Sequence, residues 1–257
     1  MNKLSVVIIT FNEERNIGRC IDSVLPVADE VLVLDSHSTD NTCAIAVAKG
    51  ARVLQQPFAG YIEQKNNALA LAQNDLVLSL DADEALDERL QQSILSAKKN
   101  KMAAGYTMNR CTYYCGRFIR HGAWYPDRKL RLFSRQLAQW GGTNPHDKVE
   151  FHSPQTSNHL AGDILHYSYY TMEEHITQNN KFSTIAAESY FSRGKKTSLF
   201  RIWFNPCWAF FSGFILRGGF LDGFYGYVIA RNVAHLTFMK HSKLYLLQRK
   251  VTNGKNE

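Results

Sequence analysis

The sequence predicts an α/β fold, a mainly parallel sheet flanked by helices, followed by an aromatic-rich helical region. Three observations carry this. Apolar runs typical of strands buried on both faces ("LSVVIIT", "EVLVLD", "DLVLSL") alternate with helical periodicity through residues 1–100. Strands alternating with helices build parallel pairs joined by right-handed crossovers. From residue 171 the pattern changes to long helical stretches, and residues 200–245 are crowded with aromatic side chains and glycine.

Each element has a local reason. Residues 4–10 are a β-branched run and form the first strand. Asn12 then reads as an N-cap, with Glu13 and Glu14 in the first turn and Ile17, Cys20, Ile21 and Val24 as the apolar stripe of a helix. After the strand ending at Asp35, Ser38, Thr39 or Asp40 caps a helix through Ala48, which Gly50 stops. "ARVLQ" is a short strand, "YIEQKNNALALAQ" a helix, and "DLVLSL" the next buried strand. "DERLQQSILSAKK" is an amphipathic helix, with Glu84 and Asp87 as entry to it. "AGYTMNRCTYYC" and "RKLRLFSR" alternate as half-exposed strands, residues 171–193 read as a helix, and the tail "TNGKNE" as frayed.

Composition bounds the function. The chain has 257 residues, 45% hydrophobic and 21% charged, which fits a folded domain with a sizeable core. A net charge of +7 and a pI near 9.1 favour an anionic partner, whether phosphorylated substrate, acidic membrane or nucleic acid. The start "MNKLSVVIITFNEE" meets acids too soon for a signal peptide and reads as a first strand. Five scattered cysteines fit a reducing compartment. "CTYYC" has no second Cys/His pair at zinc spacing.

In parallel sheets, ligands bind at the carboxyl ends of the strands. Here those ends carry Thr10, Phe11 and Asn12, then Asp35 and Ser36, then Asp81 and Asp83. Three polar clusters far apart in sequence should therefore line one crevice. Asp81 and Asp83 share one parity, and a hard divalent cation such as Mg²⁺ or Mn²⁺ relieves the repulsion of two carboxylates. The alternative is turn chemistry at Asp81 and a helix cap at Asp83. Neither a Gly-rich dinucleotide fingerprint nor a Walker-type loop is present.

The stretches "LSVVIITFNEERNI", "EVLVLDSHSTDNT", "GYIEQKNNALALA" and "LVLSLDADE", in this order, resemble the nucleotide-sugar half of inverting family-two glycosyltransferases with the GT-A (Rossmann-like) fold. The likeness continues through "WYPDRKLRLFSR" and "NPHDKV". The ending "GGFLDGFYGYVIARNVAHLTFMKHSKL" is similar to bacterial lipopolysaccharide-core glucosyltransferases (β-1,4-transferring) of that family. The resemblance implies a GT-A catalytic domain at 1–170, with a nucleotide-sugar half at 1–100 and an acceptor half at 101–170. It also implies a membrane-associating helical region at 171–250 and a disordered tail at 251–257. Thr10, Phe11, Asn12, Glu13, Asp35, Lys65 and Asp81 would hold a UDP-sugar, with Asp35 on the uracil, Lys65 near the ribose or diphosphate and Asp81 on the ribose. Asp83 would ligate Mg²⁺ or Mn²⁺, with His166 as a further candidate. A metal and basic side chains suit this reaction because a departing diphosphate gains negative charge.

The family's His-Glu pair corresponds here to His146 and Asp147, which makes Asp147 the expected general base. An Asp is one methylene shorter than a Glu. The alternative is an exposed loop Asp after Pro145. Trp124, Tyr125, Asp127, Arg128 and His146 are expected on the acceptor side, since aromatic faces stack on sugars and Arg binds phosphate. The competing reading makes the two aromatics core and leaves Arg128, Lys129 and Arg131 a solvated basic edge.

The uncharged window from Ile202 to Leu216 contains Asn205 and Pro206, which reads as too short and too interrupted to span a bilayer. Its aromatics, flanked by Arg201 and Arg217, suit a helix lying in the headgroup zone or packed on protein. The expected enzyme transfers a hexose, glucose from UDP-glucose, to the inner core of lipopolysaccharide. Its expected partners are the UDP-sugar, a lipid-linked core oligosaccharide and an anionic membrane surface, with no nucleic acid and with a homo-oligomer left open. The expected place is cytoplasmic, peripheral on the inner face of the inner membrane. Rival readings are another surface-polysaccharide glycosyltransferase, a nucleotidyltransferase, for which "TFNEERN" lacks the Gly-rich basic loop, and an anionic-surface binding module.

Overall fold

A computed structural model of the chain describes residues 2–100, 103–143 and 146–253. Two compact units are present. The first comprises residues 1–111 and 126–167, the second 112–125 and 168–257. The expected boundary at 170 thus falls at 167, and residues 112–125, expected in the acceptor half, belong with the C-terminal helices.

The first unit begins as anticipated, with β1 (Leu4–Thr10), α1 (Ile17–Val24), β2 (Glu30–Asp35), α2 (Thr42–Ala48), β3 (Arg52–Gln55), α3 (Tyr61–Leu71) and β4 (Leu76–Asp81). β5 (Glu84–Leu86), α4 (Glu88–Lys99), β6 (Gly105–Tyr114), β7 (Arg117–Phe118), β8 (Asp127–Ser134), β9 (Ala138–Thr143), β10 (His146–Phe151) and β11 (Ser157–Tyr169) follow. The sheet order is β3-β2-β1-β4-β8-β6-β11-β5, with β7 paired to β6, and β9 and β10 form a separate hairpin. β1 pairs in parallel with β2 and β4, and β2 with β3, whereas β4–β8, β6–β8 and β11–β5 are antiparallel. The expectation of a mainly parallel sheet therefore holds for half of it. Strand–helix alternation ends at α4, and β8 then returns antiparallel to both β4 and β6, as β11 does to β5.

Strand parity sorts the core. Val6 and Ile8 face one layer with Ile17, Ile21, Leu90 and Ile94, and Val7 faces the other with Leu32, Leu69, Phe133 and Trp140. Asn12 is not a helix cap. It sits in the left-handed region (φ 54°), a conformation Asn tolerates, and joins two loops: its N–H donates to Ser38 Oγ (2.8 Å) and its Oδ1 accepts from Thr39 N–H (2.8 Å). A turn through Glu13 delays the helix to Ile17. Glu84 is likewise not a helix entry. It lies in β5, fully buried, and Asp87 alone caps α4, accepting from Leu90 N–H at 2.7 Å.

The second unit contains α5 (Met172–Ser192), α6 (Leu199–Phe211), a π turn (Ser212–Leu216), a 3₁₀ turn (Gly219–Asp222) and α7 (Gly223–Asn253). Thr171 and Glu174 form a capping box on α5. α7 packs against both α5 and α6. It runs into the stretch expected as a disordered tail, of which 254–257 lie outside the described residues. Asp222, buried, ties the 3₁₀ turn to residues 120–121 by accepting from Arg120 N–H (3.1 Å) and His121 N–H (2.8 Å). Pro206 sits inside α6 without breaking it. The stretch Leu199–Leu216 therefore has the length and composition to cross a membrane, with 18 residues, mean hydropathy 1.2 and 6% buried, contrary to the expectation of a short, interrupted segment. Phe200, Trp203 and Phe204 lie exposed along it.

Candidate active site

The carboxyl ends of β1, β2 and β4 meet at one edge: Thr10 pairs in register with Asp35, and Ile9 with Asp81. Thr10 is buried and its Oγ1 has no partner among the described residues, while Phe11 stands exposed beside it. Asp35 is fully buried. Its carboxylate accepts from Ser38 N–H (2.8 Å), Ser38 Oγ and Gln55 Nε2 (3.0 Å). Burial pushes the carboxyl up, but these bonds outweigh it and hold it below the usual carboxylate range. These contacts tie Asp35 to the turn that follows β2 and to the end of β3.

The centre of the site is a buried charge network. Lys65, on α3 and only 4% exposed, lies 3.0 Å from Asp81 and 2.7 Å from Asp147. Arg131, equally buried on β8, reaches Asp81 (3.3 Å) and Glu84 (3.1 Å). Both cations sit over the Trp140 ring, with Lys65 Nζ at 4.3 Å and Arg131 Cζ at 4.9 Å from its centroid. Burial raises the Asp81 carboxyl, yet the Lys65 and Arg131 charges prevail and hold it well below the usual range. For Arg131, burial lowers and the Glu84 and Asp81 charges raise, with a net rise that keeps it charged.

Asp147 is no loop residue. It lies in β10 opposite Gly142 of β9. Asn66 of α3 clamps that hairpin, accepting from Trp140 N–H (2.9 Å) and donating to Trp140 O (2.9 Å), and Trp140 Nε1 donates to Ser79 Oγ (3.2 Å). The hairpin thereby brings Asp147 to Lys65 across 82 residues of sequence. A cavity of about 370 Å³ opens there, lined by Lys65, Asp81, Arg131, Trp140 and Asp147, with a basic mouth.

Asp83 sits one turn on, its Oδ2 3.1 Å from His166 Nε2, both partly exposed. The two are positioned by β11 pairing with β5 and by Tyr167 N–H donating to the Asp83 carbonyl (2.9 Å). Glu13 lies close by. Burial, and then the Asp83 charge, raise its carboxyl, against a lowering bond from Asn16. Among the described residues no three His, Cys, Asp or Glu side chains converge as a metal cage. One carboxylate beside one imidazole, both open to solvent, is instead a donor set that suits Mg²⁺ or Mn²⁺ when substrate phosphates complete the shell.

The acceptor-side expectations divide. Asp127 pairs with Arg110 (2.8 Å) and Lys129 (2.9 Å), and Arg128 is exposed at the cavity. Trp124 and Tyr125 belong to the second unit, where Trp124 stacks on Tyr169 (5.6 Å) and meets Tyr114 and His175 edge-on, as in the reading that made it core. The side chain of His146, like Asn144 and Pro145, lies outside the described residues. Arg131 is corrected outright: it is not a solvated edge but the buried partner of Asp81 and Glu84. Its strand parity matches Phe133, which faces the core, and that signal was available in the sequence. Glu84 and Trp140 had no such signal.

The profile of glycosyl transferase family 2 matches residues 5–155. The chain belongs to glycosyl transferase family 2. It is 36% identical to an uncharacterized glycosyltransferase of Rickettsia felis, over 95% of this chain and 90% of that protein. It is 29% identical to the lipopolysaccharide core biosynthesis glycosyltransferase LpsC of Rhizobium meliloti, over 94% and 92%. A crystal structure of glucosyl-3-phosphoglycerate synthase from Mycobacterium tuberculosis with Mn²⁺, UDP and glucosyl-3-phosphoglycerate overlays with a TM-score of 0.36 at 29% identity, covering 44% of each chain. This family-2 member is a glycosyltransferase, and its α/β unit is of the GT-A type.

Proposed function

We propose that this glycosyltransferase moves a hexose, glucose from UDP-glucose, with inversion onto the inner core of lipopolysaccharide, using Asp147 as general base. One observation carries the reading: Lys65 holds Asp147 and Asp81 on a single cavity at the carboxyl ends of the parallel strands, beside Asp83. The likeness to LpsC supports the choice of acceptor.

The Thr10 and Phe11 backbone and Asp35 bind the base of the donor, and Asp81 its ribose. Asp147 takes the proton of the acceptor hydroxyl as that oxygen bonds to the anomeric carbon. The bond from that carbon to the diphosphate breaks, and UDP leaves with the electron pair. Lys65 fixes the rotamer of Asp147 and, with Arg131, faces the charge that develops. Asp83, with His166, would hold Mg²⁺ or Mn²⁺, which supplies further positive charge to the departing diphosphate. In the second unit, the exposed Phe200 and Trp203, with Arg201 and Arg217 flanking, seat the protein peripherally on the anionic cytoplasmic face of the inner membrane, close to a lipid-linked acceptor.

Calorimetric titration with UDP, with and without Mn²⁺, tests this. Mn²⁺ should tighten UDP binding, and Asp83→Asn should remove that gain. UDP binding indifferent to the metal would sink the proposal.

A further inference from the structure

We propose that the acceptor side of the cavity is built for an anionic sugar, one carrying a phosphate or carboxylate near its reacting hydroxyl. This rests on the placement of Asp147 as base, and it goes further by naming the acceptor's chemical class. The charge distribution at the mouth carries it. Arg110, Arg128, Lys129 and Lys148 all line the cavity. Arg110 and Lys129 share the carboxylate of Asp127 (2.8 and 2.9 Å), and Arg110 lies a further 3.7 Å from Glu84. Among the described residues Lys148 pairs only with Glu150, at 2.9 Å, with side chains 69% and 47% exposed. Exposed pairs of that kind are weak and yield readily to a ligand. Arg128 has no ion-pair partner among the described residues. Four cations against Asp127 and Glu150 leave the rim positive. With Lys65 and Arg131 set against Asp81, Asp147 and Glu84 behind it, the whole cavity keeps six cations to five carboxylates, the excess lying at the rim.

On the wall behind, Arg131 is buried with Asp81 and Glu84 as its counter-ions, and its Nε and Nη1 have no hydrogen-bond partner among the described residues. The two carboxylates in the cavity, Asp81 and Asp147, are already engaged by Lys65 and Arg131 and do not neutralise the rim. A neutral sugar can only accept hydrogen bonds from such a mouth, whereas clustered like charge also concentrates and orients an anion. Arg128 offers the planar fork that matches phosphate or carboxylate oxygens, and Lys148 a point charge beside it. The anion seated there would leave the sugar's hydroxyl toward Asp147 on the inner wall.

The experiment measures binding of mannose, mannose 6-phosphate and galacturonate to the UDP-loaded protein by ligand-observed NMR. The wild-type protein and the Arg128→Gln/Lys148→Gln variant are compared. Both substitutions lie at exposed positions, and UDP affinity, read in the same titration, reports folding and the donor site. One anionic sugar should bind at least about tenfold more tightly than mannose, and the double variant should lose that advantage while keeping its UDP affinity. A preference for mannose 6-phosphate alone identifies a phosphate, and one for galacturonate alone a carboxylate. Equal binding of all three sugars overturns the proposal. So does displacement of UDP by the anionic sugars, since the cations would then serve the donor diphosphate. Absence of UDP binding would refute the donor assignment instead, and the same sugar titration on the free protein would still decide the rim.

Discussion

Lys65 is the residue on which the site's electrostatics turn, and replacing it with Met isolates its charge. Met keeps an unbranched stem over Trp140 but removes the ammonium that lies 3.0 Å from Asp81 and 2.7 Å from Asp147. Removing one partner of a buried ion pair costs about 3–5 kcal/mol, because the other charge is left uncompensated. Here the lower end applies: Asp81 keeps Arg131 at 3.3 Å, and the Asp81 and Asp147 side chains retain 27% and 14% exposure. A loss of about 3 kcal/mol in a domain of this size lowers Tm by roughly 6–12 °C. Removing Asp147 as well deletes the stranded carboxylate, so Lys65→Met/Asp147→Asn should melt above Lys65→Met alone, with a coupling of about 1–3 kcal/mol. Turnover, followed as UDP release, should fall by about 10²–10³ in Lys65→Met, the usual effect of losing one preorganised electrostatic contact. Thermal melts of the two single variants and the double close the cycle. A Lys65→Met protein that melts with the wild type, or a double variant whose losses simply add, would refute the network.

Other expectations follow from the same structure. Asp147→Asn should lower transfer by about 10²–10⁴ with UDP affinity nearly intact, and normal turnover would clear Asp147 of the role of base. His175 is buried beside Tyr114 and Asn232, and burial pushes it down to about 4. The unfolded chain takes up this proton below about 6.5 and the folded one does not, so its stabilising share is complete above pH 6.5 and lost toward pH 4. Denaturant melts should show a loss of about 3 kcal/mol across that window, which His175→Phe should flatten. Phe200→Ser/Trp203→Ser, at positions 68% and 73% exposed, should weaken flotation with phosphatidylglycerol vesicles at least about tenfold without changing Tm. Unchanged flotation would remove the membrane-seating role.

Much of the nucleotide half was legible because it is local. Short β-branched runs such as 4–10 and 30–35 favour strands, Gly50 suits a helix stop, and alternation with helices favours parallel pairing, so the pattern alone puts Thr10, Asp35 and Asp81 at one edge. The acceptor half was less legible. Its strands are short and half-exposed, and the β9–β10 hairpin around Asp147 gave no periodic signal. Glu84 shows the limit most plainly. A carboxylate three residues after Asp81 looks like helix punctuation, and only the arrival of Arg131 from 47 residues away makes it a buried counter-ion.

The sequence by itself determined the strand and helix order of the first hundred residues, the edge at which the polar clusters gather, and membership in the family, since each depends on periodicity or on contiguous motifs. Tertiary structure alone decided which charges meet. Lys65 between Asp81 and Asp147, Arg131 on Glu84 and both cations over Trp140 are contacts between segments far apart in the chain. The energy of a charge depends on what surrounds it within a few ångströms, and no spacing along the sequence encodes that distance.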